Sequence, residues 1–213
     1  MKNTTYEKPT IRIAKRIFDL IGASVGMVIL AISFIPVAIA IKLTSKGPVF
    51  YQQLRVGKFT PTKVDLIHVL KYRTMYIDAE SRSGATWATE NDPRITPVGR
   101  FLRKTRLDEL PQFINVIKGD MSLIGPRPER PDFYTKLEQD IPFFTERTYD
   151  VLPGITGLAQ VNQGYDTCVD DVRRKVGFDH SYALSLSSLK TWFITDVHIV
   201  IKTLKIMVDG RGR

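Results

Sequence analysis

The sequence predicts an α+β fold: a mostly helical, membrane-associated domain with a re-entrant N-terminal helix and a β-hairpin. Three observations carry this. Residues 20–41 form a run of 22 uncharged, mostly apolar positions, long enough as a helix to match a bilayer's hydrocarbon core. Two runs rich in β-branched and aromatic residues, 49–51 and 64–72, flank a turn-forming stretch at 57–62, the pattern of a hairpin. Leu107, Leu110, Ile114 and Ile117 recur at helical spacing, and residues 189–208 also read as a helix. No Ser/Gly-rich linker or internal repeat divides the chain. It is read as a membrane helix with basic flanks (1–47) joined to one catalytic domain (48–213).

The N-terminal run has alternatives. A signal peptide would need a small-residue cleavage site, and none is clear. A single-pass anchor should show an asymmetry of flanking positive charge. Here Lys8, Arg12, Lys15 and Arg16 precede the run, and Lys42, Lys46, Arg55 and Lys58 follow it. Pro36 removes one helical hydrogen bond and predicts a kink, and Ser33 is placed to satisfy a freed carbonyl. A bent helix that enters and leaves on the cytoplasmic face satisfies both observations, and the single-pass anchor stays open beside it.

In the hairpin, Lys71 and Arg73 alternate with Tyr72, which points both cations to one face; edge-strand charges are the plainer explanation. Residues 79–91 are polar and read as a loop after a short helix. Residues 131–150 read as helix, and 152–162 as a turn-rich segment leading into a short strand. The glycines of that segment permit close backbone approach, or serve a tight turn. The helix at 189–208 mixes Trp192, Phe193, Val200, Ile201 and Leu204 with Lys190, Lys202 and Lys205. It suits a membrane interface and a core-packing helix equally.

The chemistry concentrates in residues 92–128. Asp108–Glu109 opens a helix that Gly119 stops, with Pro111 tolerated only in its first turn. The free N–H groups there favour anions, and a capping box of Thr105 with Asp108 would explain the pair without any catalysis. Arg94, Arg100, Arg103, Lys104 and Arg106 precede it, either as a solvated basic face or as a phosphate site. Arg127 stands between Pro126 and Pro128, which restrict the backbone and present a guanidinium suited to clamping phosphate. Carboxylates among cations can also hold a divalent metal while the cations take phosphate charge.

Composition bounds the partners. A formal net charge of +9 requires an anionic one: nucleic acid, an anionic lipid surface or a phosphorylated substrate. Cys168 is alone, so there is no disulfide framework. His68, His180 and His198 lack metal-ligand spacing. A nucleic-acid-binding protein would leave the apolar run and the carboxylate pair unexplained, and no binding motif is present. A membrane scaffold would leave the proline-framed arginine unexplained, and a polyprenyl-linked phosphatase is the nearest enzymatic rival.

Six segments in order carry a resemblance: residues 15–19 (KRIFD), 71–75 (KYRTM), 103–112 (RKTRLDELPQ), 118–122 (KGDMS), 125–128 (GPRP) and 153–157 (PGITG). Together they resemble the bacterial sugar transferase family, the monotopic polyprenyl-phosphate phosphoglycosyl transferases. The resemblance implies transfer of a phosphosugar from a UDP-sugar to polyprenyl phosphate with release of UMP, on the cytoplasmic face of the bacterial inner membrane. It implies a re-entrant membrane helix, with Ser33 and Pro36 at the kink. It implies Asp108 as nucleophile, Glu109 as metal or acid–base partner, and Mg2+ held in part by Asp108. Lys71, Arg103 and Arg127 would neutralise the pyrophosphate, with Arg73 and Arg94 as further substrate-binding candidates. The implied partners are donor, lipid acceptor and membrane lipids, not nucleic acid, with a homodimer left open. Two details depart from the family pattern: Ile35, not Ser, precedes Pro36, and the hairpin turn lacks Asn-Gly. The absence of further spanning segments is read as a minimal catalytic form that acts first in its pathway; the sugar is not legible.

Overall fold

The computed structural model describes residues 8–60, 62–79, 81, 84, 86, 89, 92–163 and 168–209. The N-terminal run lies inside one helix, α1 (Pro9–Thr44). Pro9 occupies its first turn, where a missing N–H costs nothing. Its buried positions, Ile11, Lys15, Asp19, Ala23, Gly26 and Leu30, recur every three or four residues and so form one stripe. The outer face keeps Ile21, Val25, Val28, Ile32, Ile35 and Ile39 exposed, so the helix is apolar on both sides and docked on one. By length and composition it suffices to cross a membrane.

The motif at 15–19 supplies the docking. Lys15 Nζ lies 3.2 Å from Asp196 in a pair whose side chains are 6% and 0% exposed. Asp19 accepts from Ser122 Oγ and Leu123 N, both at 2.9 Å. Arg16 donates to the carbonyls of Val116 and Ile117 at 2.6 and 2.8 Å. Downstream, Arg55 donates to Pro128 O at 3.0 Å and Lys58 pairs with Asp150. Lys15, Arg16, Arg55 and Lys58 therefore work inside the protein and do not count as flank charges, which corrects the expectation. The balance survives the correction, because Lys8 and Arg12, whose side chain stays 54% exposed although it reaches Asp150, remain before the run and Lys42 and Lys46 after it.

Ser33 is a second correction. Its hydroxyl donates to Ile29 O at 2.8 Å and Leu30 O at 3.2 Å. The carbonyl freed by Pro36 belongs to Ile32, four residues before the proline. Ser33 therefore bonds the preceding turn, as hydroxyls in helices commonly do, and helical structure continues through Pro36 to Thr44.

The hairpin pairs β1 (Phe50–Phe59) with β2 (Val64–Tyr72), antiparallel, from Phe50↔Tyr72 to Phe59↔Val64. Gly57 was expected to begin the turn, but it lies inside β1 where the register slips between Val56 and Phe59. A Cβ there would meet Asp65 O at 3.2 Å, which explains the glycine at a bulge. The turn comes later, closed by Thr60 N donating to Lys63 O at 2.9 Å.

Helix α2 (Pro97–Lys104) is N-capped by Thr96, whose side chain accepts from Gly99 N. A 3-10 turn at Leu107–Glu109 leads into α3 (Gln112–Lys118), which ends at Gly119 with φ of 90°, the expected left-handed stop. Three members of the predicted stripe, Leu107, Leu110 and Ile114, pack in one apolar cluster, and only Ile117 leaves it. Leu110 and Val116 are buried, whereas Ile117 is 41% exposed, because the 3-10 turn advances the chain at three residues per turn.

Strand β3 (Ser122–Ile124) pairs in parallel with β4 (Gly154–Thr156). That pairing was not anticipated, and the strand precedes rather than follows the second glycine of 153–157. Residues 158–162 are helical, α5 (Leu158–Asn162). The long helix expected at 131–150 is only α4 (Pro131–Asp140), followed by a 3-10 turn at Thr145–Thr148. Pro142 disfavours helix at Ile141, and Phe143 has φ of 63°. The chain closes with α6 (Val169–Ser185) and α7 (Leu189–Val208). α7 packs one face into the core, with Trp192, Asp196 and Ile199 buried, and leaves Phe193, Ile194, Ile201, Leu204 and Val208 exposed on the other. α1 contributes to three of the apolar clusters, with Ile11 beside Trp192 and Ile199, Ala23 beside Val69 and Met121, and Leu30 and Ile41 beside Tyr72 and Leu102.

Candidate active site

The Asp108–Glu109 pair sits where α2 hands over to α3. Thr105 makes no capping box, since its hydroxyl turns back to the carbonyls of Phe101 and Leu102. Arg106 instead takes the left-handed conformation, with φ of 57°, an arrangement that costs a non-glycine residue about 1–2 kcal/mol. The reversal tucks both carboxylates inward: Asp108 is 8% and Glu109 5% exposed.

The two acids are treated differently. Glu109 Oε1 lies 3.1 Å from Lys71 Nζ and 3.3 Å from Arg127 Nη1, and its Oε2 lies 3.7 Å from Arg106 Nη1. Burial opposes its ionisation, but Lys71, Arg127 and Arg106 outweigh burial and hold its carboxyl well below the usual range. Asp108 has no such clamp. Burial and then repulsion from Glu109 push it up to about 6, against the pull of Lys71, Arg103 and Arg127. Burial likewise lowers Lys71, with Glu109 opposing. Neighbouring acids whose environments drive their acidities apart are a mark of divided catalytic roles.

Of the predicted substrate-binding residues, Lys71, Arg103 and Arg127 converge here. Arg103 is held by Nε donating to Thr74 Oγ1 at 2.9 Å. Arg73 does not join them. It donates to Lys46 O at 2.6 Å and Ser45 O at 2.7 Å, satisfying carbonyls just past the end of α1. Its backbone N–H still donates to Val49 O at 2.9 Å, in register with the hairpin, so it is the guanidinium's bonds to the end of α1 that take Arg73 from the site. Arg94 is tied to Asp92, with Nη2 to Oδ2 at 2.6 Å and Nη1 on Thr86 at 2.7 Å. Ser33 and Pro36 lie on α1.

The Pro-Arg-Pro loop is pinned from both sides. Arg55 donates to Pro128 O at 3.0 Å. Arg147 donates to Arg127 O at 2.9 Å while pairing with Asp179 at 2.7 Å. The glycines of 153–157 approach this loop: a Cβ on Gly154 would strike Gly125 N, and one on Gly157 would strike Gly125 O. Close backbone approach is thus their use, and the partner is the segment that presents Arg127.

A small cleft beside the pair is lined by Arg55, Val69, Lys71, Gln112, Arg127, Pro128 and Gly154. Arg55 and Gln112 in the cleft were not among the expected site residues, and Arg106, which pairs with Glu109, was named only as one of the cations preceding the acidic pair. Arg106 and Gln112 flank the acidic pair in the 103–112 motif, a signal that was available; Arg55 carried none, because the partner that ties it to the Pro-Arg-Pro loop, Pro128, lies over seventy residues away.

Among the described residues no group of three or more His, Cys, Asp or Glu is placed to hold a metal. The donor set fits Mg2+ only in the form that ion favours, one or two carboxylates completed by substrate phosphate and water. Asp108 is the carboxylate placed to serve, since Glu109 is engaged by cations.

The sequence profile described as Bacterial sugar transferase matches residues 10–210. Among curated relatives, the UDP-N-acetylgalactosamine-undecaprenyl-phosphate N-acetylgalactosaminephosphotransferase of Aeromonas hydrophila is 41% identical over 204 residues, covering 96% of this chain and 46% of the relative. The UDP-glucose:undecaprenyl-phosphate glucose-1-phosphate transferase of Escherichia coli strain K12 is 40% identical over 91% of this chain and 40% of its own length. The protein of the same name in Caulobacter vibrioides is 36% identical over 91% of this chain and 69% of its own length. The chain thus spans less than half of the first two relatives and about two thirds of the third. By the match over nearly its whole length, this chain belongs to the bacterial sugar transferase family.

Proposed function

We propose that this protein transfers a phosphosugar from a UDP-sugar to polyprenyl phosphate, releasing UMP, through a covalent intermediate on Asp108. The observation that carries this is the asymmetry of the acidic pair. Glu109 is fixed as a charge by three cations, so it holds Lys71 and Arg127 in position and exchanges no proton near neutral pH. Asp108 is ionised above about pH 6 and is more basic than an ordinary carboxylate, hence a better nucleophile. In the first step an Asp108 oxygen attacks the phosphorus that bears the sugar, and the bond to the bridging oxygen breaks with that oxygen leaving on UMP. In the second, a phosphate oxygen of the lipid attacks the same phosphorus, giving the lipid diphosphate-sugar and restoring Asp108. Lys71, Arg103 and Arg127 offset the charge on the pyrophosphate as it separates. Asp108 is the residue that would hold Mg2+, which when bound would supply Lewis-acid neutralisation of phosphate charge.

The relatives' names support the reaction class and differ in the sugar, N-acetylgalactosamine in one and glucose in two. They therefore leave the donor to experiment. UMP release by detergent-solubilised protein, with Mg2+ and a panel of UDP-sugars, with and without undecaprenyl phosphate, identifies it. Release that depends on one sugar and is lost in Asp108→Ala is expected; no release from folded protein with any donor would remove the transferase reading.

The same proposal places the enzyme on the cytoplasmic face with α1 re-entrant. A straight helix of 36 residues is about 54 Å long, and a spanning one would set its ends on opposite sides of about 30 Å of hydrocarbon. Both ends of α1 dock on the same domain instead, Ile11 and Lys15 against α7 and Ile41 against Leu102 and Tyr72. Single cysteines at Lys8 and Lys46 in a Cys168→Ala background should react alike with an impermeant maleimide in oriented vesicles; protection of one end alone would indicate a crossing.

A further inference from the structure

The cleft beside the acidic pair contains a polar side chain to which the mechanism above gives no task. Gln112 is 3% exposed, and its Nε2 finds no acceptor among the described residues. It is placed by the Leu110–Pro111 entry into α3, with Leu110 itself buried. A buried amide donor without an acceptor weakens a fold and is uncommon for that reason. This one lines the cleft together with Arg55, Lys71 and Arg127.

The lining specifies the chemistry of an occupant. Three of its seven residues are cationic and none is acidic; Lys71 and Arg127 share the single carboxylate of Glu109 and Arg55 faces Glu129 only at 3.9 Å, so positive charge remains in excess and the walls favour an anion. Arg55 is fixed, its Nε donating to Gln53 Oε1 and its Nη1 to Pro128 O, both at 3.0 Å. Its guanidinium is therefore oriented before anything binds. An amide Nε2 can donate and cannot accept, so it adds to the same preference. Val69, Pro128 and Gly154 supply the apolar remainder, against which a charge-assisted hydrogen bond would be shielded from water.

We infer that Gln112 is a substrate-contacting residue whose amide donates to a phosphoryl oxygen seated between Arg55, Lys71 and Arg127. The cleft is then a phosphate subsite distinct from the attacking oxygen of Asp108. Its phosphate comes from the donor diphosphate or from the lipid phosphate, and to that extent the inference rests on the proposed reaction.

The test uses the full chain in detergent with Gln112→Leu, which keeps the bulk and removes the amide, and Gln112→Met should the first fail to fold. UDP and undecaprenyl phosphate are titrated separately, and Tm is recorded without either. The expected result is an unchanged or higher Tm, because an unmatched polar group has been removed, with one affinity lowered about 10- to 100-fold, the scale of a hydrogen bond to a charged group. Loss for UDP assigns the donor phosphate, and loss for undecaprenyl phosphate assigns the acceptor. A lowered Tm with both affinities unchanged would overturn the inference and make Gln112 a packing residue. UMP release by the wild type separates the two claims. An inactive wild type with a variant that loses affinity keeps the subsite and removes the transferase; an active wild type with unaltered affinities does the reverse.

Discussion

Replacing Glu109 by Gln removes the charge that organises the site and leaves its shape. Its partners stand at 3.1, 3.3 and 3.7 Å, where each attraction is about 5 kcal/mol gross at an effective dielectric of 20. Desolvation cancels most of that sum. The net loss when one member of a buried cluster is removed is about 3–5 kcal/mol, and the variant should unfold more easily by that amount near pH 7. The sign with pH is fixed. Glu109 has a folded acidity below its ordinary 4.5, so its contribution is whole above that value and shrinks as pH falls below it. The stability difference between wild type and variant should therefore close in acid.

Activity moves the other way along the same axis. Repulsion from Glu109 is one of the two causes that raise Asp108 to about 6. Without it the cations act on Asp108 alone, and its acidity returns toward 3.8. Because attack requires the ionised form, the acid limb of UMP release should move to lower pH. The maximal rate should fall by about 10²-fold as Lys71 and Arg127 draw the carboxylate out of line, the scale of a 1 Å displacement. Urea unfolding at several pH values and a pH–rate profile read both effects. An acid limb that stays or rises, with stability unchanged, would refute the assigned division between the two acids.

Other substitutions separate site from scaffold. Arg73→Met should lower Tm and leave KM for the donor unchanged, whereas Lys71→Met should raise KM and depress kcat. Asp196→Ala leaves Lys15 buried without its carboxylate and should cost about 3–5 kcal/mol in denaturant unfolding. Arg12→Ala, which removes a pair whose arginine is 54% exposed, should cost no more than about 1 kcal/mol. Gly154→Ala drives a Cβ into Gly125 N and should destabilise by about 3 kcal/mol, with a loss of UMP release that exceeds the loss of folded protein.

What the sequence made legible was local. The hairpin, the glycine stop of α3 and the extent of α7 follow from period and turn chemistry, whereas the convergence of Lys71, Arg103 and Arg127 on Asp108 and Glu109 was implied only by the family resemblance. What it hid depends on contacts across the fold. Lys15 looks like a flank charge until Asp196, 181 residues on, is seen beside it. Arg55 looks the same until Pro128 is. The β3–β4 pair is too short to show a period, and its parallel register is set by glycines that meet one another's backbone. Arg73 misleads for a related reason: the carbonyls of Ser45 and Lys46 that hold its guanidinium lie more than twenty-five residues back, beyond what strand alternation can show.

The measurement that bears most directly on the mechanism is a single turnover without acceptor. Detergent-solubilised protein is mixed with Mg2+ and the competent UDP-sugar, quenched, and examined by intact mass and peptide mapping. The account predicts about one UMP released per protein and a phosphosugar adduct on the peptide carrying Asp108, discharged when undecaprenyl phosphate is added. UMP release that appears only with the acceptor present, with no adduct at any time, would contradict a covalent intermediate and leave direct transfer between the two substrates.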